Sequence, residues 1–192
     1  MAPYLARLQE MGVVQGEASL DAAPGSRRRR YRITDPFVRF WHRFVLPHLT
    51  AIMDGRGATV WRDHIRDQLD EHARALFPLV AREYLGKHGG ERLASAARET
   101  GGLWGLDYDI EPAGTLHTGA AVYGRTSWGG KPVSEAADDA LQEEVRRTRY
   151  GFGKESRIRV LFSSEGFTTG LLRRAARSDA LHLLSLGELQ RS

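Results

Sequence analysis

The chain has 192 residues, enough to bury one good core, or one core and a small satellite, and too few for two full domains of ordinary size. Its 41% hydrophobic and 27% charged residues exclude disorder as the default, and the lack of any cysteine excludes disulfide staples and cysteine-based zinc or nucleophile chemistry. The formal net charge of +4 is built largely from arginine, whose planar guanidinium favours phosphate, so composition points to an acidic partner without identifying one.

The N-terminal stretch, MAPYLARLQEMGVV, is amphipathic and contains Arg7 and Glu10. It therefore differs from a secretory leader, and no apolar run reaches membrane-spanning length, so a cytoplasmic protein with no membrane partner is expected. Tyr4, Leu5, Leu8 and Met11 fall at helical spacing, and Gly12 is placed to end the helix. Val13 and Val14 begin an extended segment, residues 22–26 read as a loop, and Arg27, Arg28, Arg29 and Arg30 lead into a strand at Tyr31-Arg32-Ile33. Helix, strand, basic loop, strand is the tail of a winged helix. Such a domain normally covers its recognition helix with two earlier helices. Leu5, Leu8 and Met11 are therefore expected to meet a partner, the rest of the chain or a second copy.

Thr34 or Asp35 is suited to cap a helix opened by Pro36. Phe37, Phe40, Trp41 and Phe44 make its apolar face, read as a packing hub in preference to a base-stacking platform. Residues 61–84 have helical periodicity through Ile65, Leu69, Leu76, Val80 and Tyr84, and Pro78 is expected to begin a second helix. After the polar segment that follows Gly89-Gly90, strands are expected at 108–111, 118–123, 158–163 and 181–186, with helices at 133–150 and 168–177. That order predicts an α/β sandwich around one sheet.

These elements carry distinctive words: YLARLQEMGVV, YRITDPFVRFWHRFV, LWGLDYDI, WGGKPV, LFSSEGFT and LLSLGEL. Together, in this order and over nearly the whole chain, they resemble the C-terminal region of the archaeal and bacterial DEXX-box ATPases, the domain of unknown function 234. The resemblance implies a partial winged helix over 1–33, an aromatic helical connector over 34–60, and a PD-(D/E)XK nuclease-like domain over 61–192. The fold class implied is α/β, a restriction-endonuclease-like mixed sheet flanked by helices. Members usually carry an upstream P-loop ATPase module, but no G-x-x-x-x-G-K-[ST] occurs in this sequence, so ATP hydrolysis does not carry over.

A PD-(D/E)XK site holds Mg²⁺ between an Asp and a Glu on neighbouring strands, with a Lys two residues after the Glu activating water. Aligned by its words, the sequence places Asp109 at the metal-binding aspartate. Arg125 stands where the carboxylate would be, and Ser127 where the lysine would be. A cation at a ligand position opposes Mg²⁺ by roughly several kcal/mol at about 4 Å and intermediate dielectric. The helix carboxylate is also replaced, by Phe77-Pro78, leaving Glu83 as the nearest substitute. No catalytic residue and no cofactor are expected. If a metal binds, Asp109, Asp107 and Glu83 are its candidates. Otherwise Asp109 is a cap, or a salt-bridge partner for Arg125.

The seven histidines show no zinc-ligand spacing, and Ser163-Ser164-Glu165-Gly166 lacks the nucleophile-elbow pattern. Arg27 to Arg30, with Arg7 on the preceding helix, are the candidate DNA contacts. A second basic group, Arg146, Arg147, Arg149 and Lys154, reads as ordinary helix surface. The leading functional expectation is a non-catalytic DNA-binding or regulatory module of an ATPase-family protein. One alternative is an assembly module that pairs with a second copy or with an ATPase module through the N-terminal helix. Another is a Mg²⁺-dependent nuclease.

Overall fold

The computed structural model describes residues 3–154 and 156–191. They form two compact units, one of Met1–Ala18 with Ser26–Leu76 and the other of Ser19–Gly25 with Phe77–Ser192. The break falls inside a helix, Leu69–Lys87. No helix among the described residues is long and apolar enough to cross a membrane.

The first unit begins with α1 (Pro3–Glu10). Gly12 ends it at φ +72°, and the Val13 N–H turns back to the Leu8 carbonyl, which satisfies groups the helix end would leave open. Strands β1 (Val14–Glu17) and β2 (Arg30–Ile33) then pair antiparallel, Val14 opposite Ile33 and Glu17 opposite Arg30. The expected helix, strand, basic loop, strand order is present.

Asp35, and not Thr34, caps α2 (Pro36–Phe40), accepting from the Phe37 and Val38 N–H groups at 2.7 and 3.0 Å. From there the chain stays helical but irregular. π turns at Trp41–Val45 and Trp61–Ile65, and a kink at Gly55 (φ +80°) where the helical path is broken, set the short α3 (Leu49–Ala51) and α4 (Gly57–Val60) apart from each other and from α5 (Leu69–Lys87). Phe44, Val60 and Ile65 make a small core with Phe40, Ile52 and Leu69 against it. Phe40 and Phe44 therefore pack as expected, whereas Phe37 is 68% exposed and stands outside the hub.

The second unit is an α/β layer around a five-stranded mixed sheet, the class expected. Its strands are β3 (Ala97–Trp104), β4 (Asp109–Leu116), β5 (Ala121–Ser127), β6 (Arg157–Ser163) and β7 (Leu181–Ser185), adjacent in that order. β3, β4 and β5 pair antiparallel. β5, β6 and β7 pair parallel, which requires the crossover helices α6 (Glu135–Arg147) and α7 (Thr169–Ala175). A final turn, α8 (Leu186–Leu189), carries a capping box between Ser185 and Glu188.

Alternation along β5 sends Val122 to one face and Ala121 and Tyr123 to the other. On the first face Val122, Val160, Phe162 and Leu184 pack with Phe77, Ala81, Tyr84 and Leu85 of α5. On the second, Tyr123, Leu161 and Leu181 pack with Leu141 and Val145 of α6 and Leu171 of α7.

Three sequence expectations need correction. Pro78 does not start a helix but sits inside α5. A proline there costs roughly 3 kcal/mol, and burial of Phe77, Tyr84 and Leu85, at about 1.5–3 kcal/mol for each large side chain, outweighs it. β3 was not foreseen, because register shifts between Ala97 and Glu99 and between Gly101 and Leu103 break its alternation. β5 starts at Ala121 and not at 118, since Thr118 and Gly119 form the turn before it, with Gly119 at φ +90°.

Candidate functional site

Arg27, Arg28 and Arg29 lie exposed in the β1–β2 connection, and Arg30 opens β2 half-buried. The Arg28 N–H donates to Ser26 Oγ at 3.3 Å, and Arg29 Nη1 donates to the Gly16 carbonyl at 3.3 Å. Beside them, Arg32 pairs with Glu17 across the hairpin at 3.3 Å. Among the described residues, no ion pair holds Arg27, Arg28 or the exposed Arg7 of α1. Their guanidinium groups thus keep their full donor set toward solvent.

The positions that the sequence aligned with a nuclease site lie in the second unit. Asp109 opens β4, exposed and opposite Trp104 of β3. Asp107 is in the turn before it, and its carbonyl accepts from Arg147 Nη1 at 2.9 Å. Glu83 is an exposed residue of α5, paired with Lys87 at 2.6 Å. Arg125 is on β5 and Ser127 ends that strand. The residue opposite Arg125 is Glu111, not Asp109. The sequence offered Asp109 as the salt-bridge partner of Arg125; the carboxylate that meets it is Glu144 of α6, at 2.7 Å. Glu111 in turn meets Arg82 of α5 at 2.9 Å.

Arg125 and Ser127 line one open cleft of about 380 Å³, together with Lys131, Ser134 and Ala137, over Leu161 and Phe162 of β6. It lies at the carboxyl ends of the parallel strands β5 and β6 and at the start of α6. Asp109, Asp107 and Glu83 are not in its wall. The residues at these positions do not fit a magnesium ion. Glu111 is already neutralised by Arg82, and the group opposite it is a guanidinium. Among the described residues no three His, Asp or Glu side chains are grouped to hold a metal.

Behind the cleft, α6 is fixed by Asp138, which is fully buried and bound by Arg159 at 2.6 Å and Arg174 at 3.2 Å. Burial pushes its carboxyl up, but Arg159, and then Arg174 and Gln142, outweigh burial and hold it below the ordinary carboxylate range. Asp21 is the second such group. Burial raises it, and hydrogen bonds from Ser19, Tyr108 and Thr148 bring it below its usual value. Both are structural anchors with their acceptors occupied.

Sequence reasoning missed Glu144, Arg82, Glu111 and Lys131. The WGGKPV word marked the turn that carries Lys131, whereas Glu144 is one of many charged residues on α6 and nothing local singles it out.

No model of a known protein family matches the chain. An uncharacterized protein of Methanocaldococcus jannaschii is 28% identical over 85 residues, which cover 44% of this chain and 19% of that relative. The chain thus spans less than a fifth of the relative it matches. Among solved structures, an EndoMS complex with double-stranded DNA is similar at 14% identity, covering 56% of this chain and 43% of that one, with a TM-score of 0.39. A repair endonuclease from Pyrococcus abyssi is similar at 13% identity over 46% of this chain and 39% of that one, with a TM-score of 0.36.

Proposed function

We propose that the chain is a non-catalytic DNA-binding module in which a nuclease-like sheet has lost its metal chemistry and kept its place beside a basic hairpin in the sequence. The carrying observation is the run of three exposed arginines, Arg27 to Arg29, none of which a carboxylate holds among the described residues. Guanidinium groups in that state can form bidentate contacts to phosphate at little desolvation cost. The pairing of Arg125 with Glu144 supports the loss of metal chemistry, because it uses the metal-ligand position for a protein ion pair. The helix and basic hairpin are then a partial winged helix, consistent with the resemblance to DEXX-box ATPases. ATP hydrolysis belongs to a module this sequence does not contain, and the working place is the cytoplasm.

Fluorescence anisotropy with labelled duplex and single-stranded DNA across a salt series tests this reading, with Arg27 to Arg30 replaced together by Ala as the control. Each phosphate contact steepens the log-log salt dependence on duplex by about 0.9. The quadruple variant is expected to lose most affinity and to flatten the slope by about 2 to 3. Wild-type protein that fails to bind at low salt overturns it.

A second reading rests on a different observation. Tyr4, Leu8 and Met11 of the α1 segment are exposed at 83%, 38% and 65%, an apolar surface suited to assembly with a second copy or an ATPase module. Sedimentation of the wild type against Leu8→Glu separates this from the DNA reading.

A further inference from the structure

We propose that the cleft at the carboxyl ends of β5 and β6 binds a phosphate group directly, through Arg125 and Lys131, with no metal ion between. Its volume of about 380 Å³ is within the range of small-ligand sites. The carboxyl ends of parallel strands are where α/β sheets present such sites.

The lining carries two cations and no carboxylate. Lys131 is exposed, and among the described residues no carboxylate pairs with it. Arg125 commits Nη2 to Glu144 and its Nε–H is buried, so it meets the cleft through the part of its side chain that stays 35% exposed. Hydroxyl groups complete the set. Ser127 ends β5 at the cleft, and Ser134, although it stands at the N-cap of the 13-residue α6, makes no side-chain cap. The hydroxyl that would normally satisfy a first-turn amide is therefore available to an anion, at the end of the helix that favours one. The nearest acidic residue of that turn, Glu135, accepts from Thr168 at 2.9 Å.

A magnesium site offers carboxylates to a cation that then holds the phosphate. Here the cations are the side chains themselves, so the counter-charge to phosphate is covalently part of the protein. The ligand is a phosphate monoester such as a free nucleotide, or the diester of a nucleic-acid backbone. The inference needs neither Arg27 to Arg30 nor duplex DNA.

The test is amide NMR of the whole chain titrated with inorganic phosphate, a mononucleotide, and a dinucleotide without terminal phosphate. Saturable shifts confined to the amides of residues 125–137 are expected, about tenfold weaker in Lys131→Ala and lost in Lys131→Glu. Response to the monoester alone identifies a free phosphate ligand, and response to the dinucleotide identifies a backbone phosphate; either supports the site. No saturable shift with any of the three, or shifts that persist unchanged in Lys131→Glu, overturns it. Lys131 is exposed, so the rest of the spectrum reports that the variants remain folded. Failure of the DNA reading shows separately, in the Arg27 to Arg30 variant, which leaves this cleft intact.

Discussion

Arg125 and Glu111 stand opposite each other across β5 and β4, yet each is paired with a residue of a different helix: Arg125 with Glu144 of α6 and Glu111 with Arg82 of α5. Those helices belong to different cores, so the two charges on β4 and β5 tie both layers to the sheet. The Arg125 and Glu144 side chains remain 35% and 23% exposed, which screens their attraction. Glu144→Gln is expected to lower stability by about 1 kcal/mol. A double-mutant cycle with Arg125→Gln, read by urea unfolding, should return a coupling of similar size. Strict additivity would show that the pair holds nothing.

Arg125→Glu is the sharper change, since it sets a carboxylate beside Glu144 and opposite Glu111. A loss of about 2 kcal/mol at neutral pH is expected, shrinking as pH falls toward the carboxylate range. A melting temperature independent of pH in this variant would contradict it.

Asp138 makes the strongest stability prediction. It is fully buried between Arg159 and Arg174, and Asp138→Asn removes the only negative charge among these three residues. The expected cost is about 3 kcal/mol. The folded carboxyls of Asp138 and Asp21 both lie below their ordinary values. Their stabilisation is therefore complete above the unfolded value of about 3.9 and is lost as pH falls through the lower folded values. Acid unfolding followed by circular dichroism should be shallower in Asp138→Asn than in the wild type, and parallel curves would count against the assignment.

His72 works in the opposite pH direction from a paired histidine. It is buried against Phe40 and Phe44, its Nδ1 has no partner, and burial, then Arg43 and Arg39, push its imidazole below the ordinary value. The unfolded chain takes up the proton first, so stability falls as pH drops below about 6.5 and levels off beneath the folded value. In His72→Leu, the fall in urea midpoint between neutral and mildly acid pH should be smaller than in the wild type.

Gly124 stands where a Cβ would come within 2.8 Å of Cδ, Cγ and the carbonyl of Pro112. Gly124→Ala is expected to destabilise by about 2 kcal/mol through overpacking. Because the obstacle includes backbone, a neutral outcome in thermal unfolding would mean that β4 and β5 can separate more easily than their pairing implies.

Local chemistry in the sequence was enough to place a cap at Thr34 or Asp35 with Pro36 after it, the Gly12 stop, and the alternation of two helices with the last strands. Each depends on a few neighbouring residues. Pro78 misled because its cost is local while the burial that overrides it comes from residues as distant as Phe162. β3 was hidden by its own register shifts. At the candidate site, the words located Arg125 and Ser127 but not their surroundings. A one-dimensional alignment says which residue replaced a carboxylate; it cannot say that Glu144, on the next helix, would answer the new charge.

Among the described residues, β5 alone has an antiparallel neighbour on one side and a parallel one on the other. The strands before it are joined by short turns and close over small loops, whereas β6 and β7 must each wait for a helix to return the chain across the sheet. β6 supplies the floor of the cleft and α6 one of its sides, so the arginine strand is synthesised before the cleft can be complete. A polypeptide cut ahead of Arg157 would keep the β3–β4–β5 meander and present Arg125 on an open edge, and only synthesis through β6 turns that edge into an enclosure.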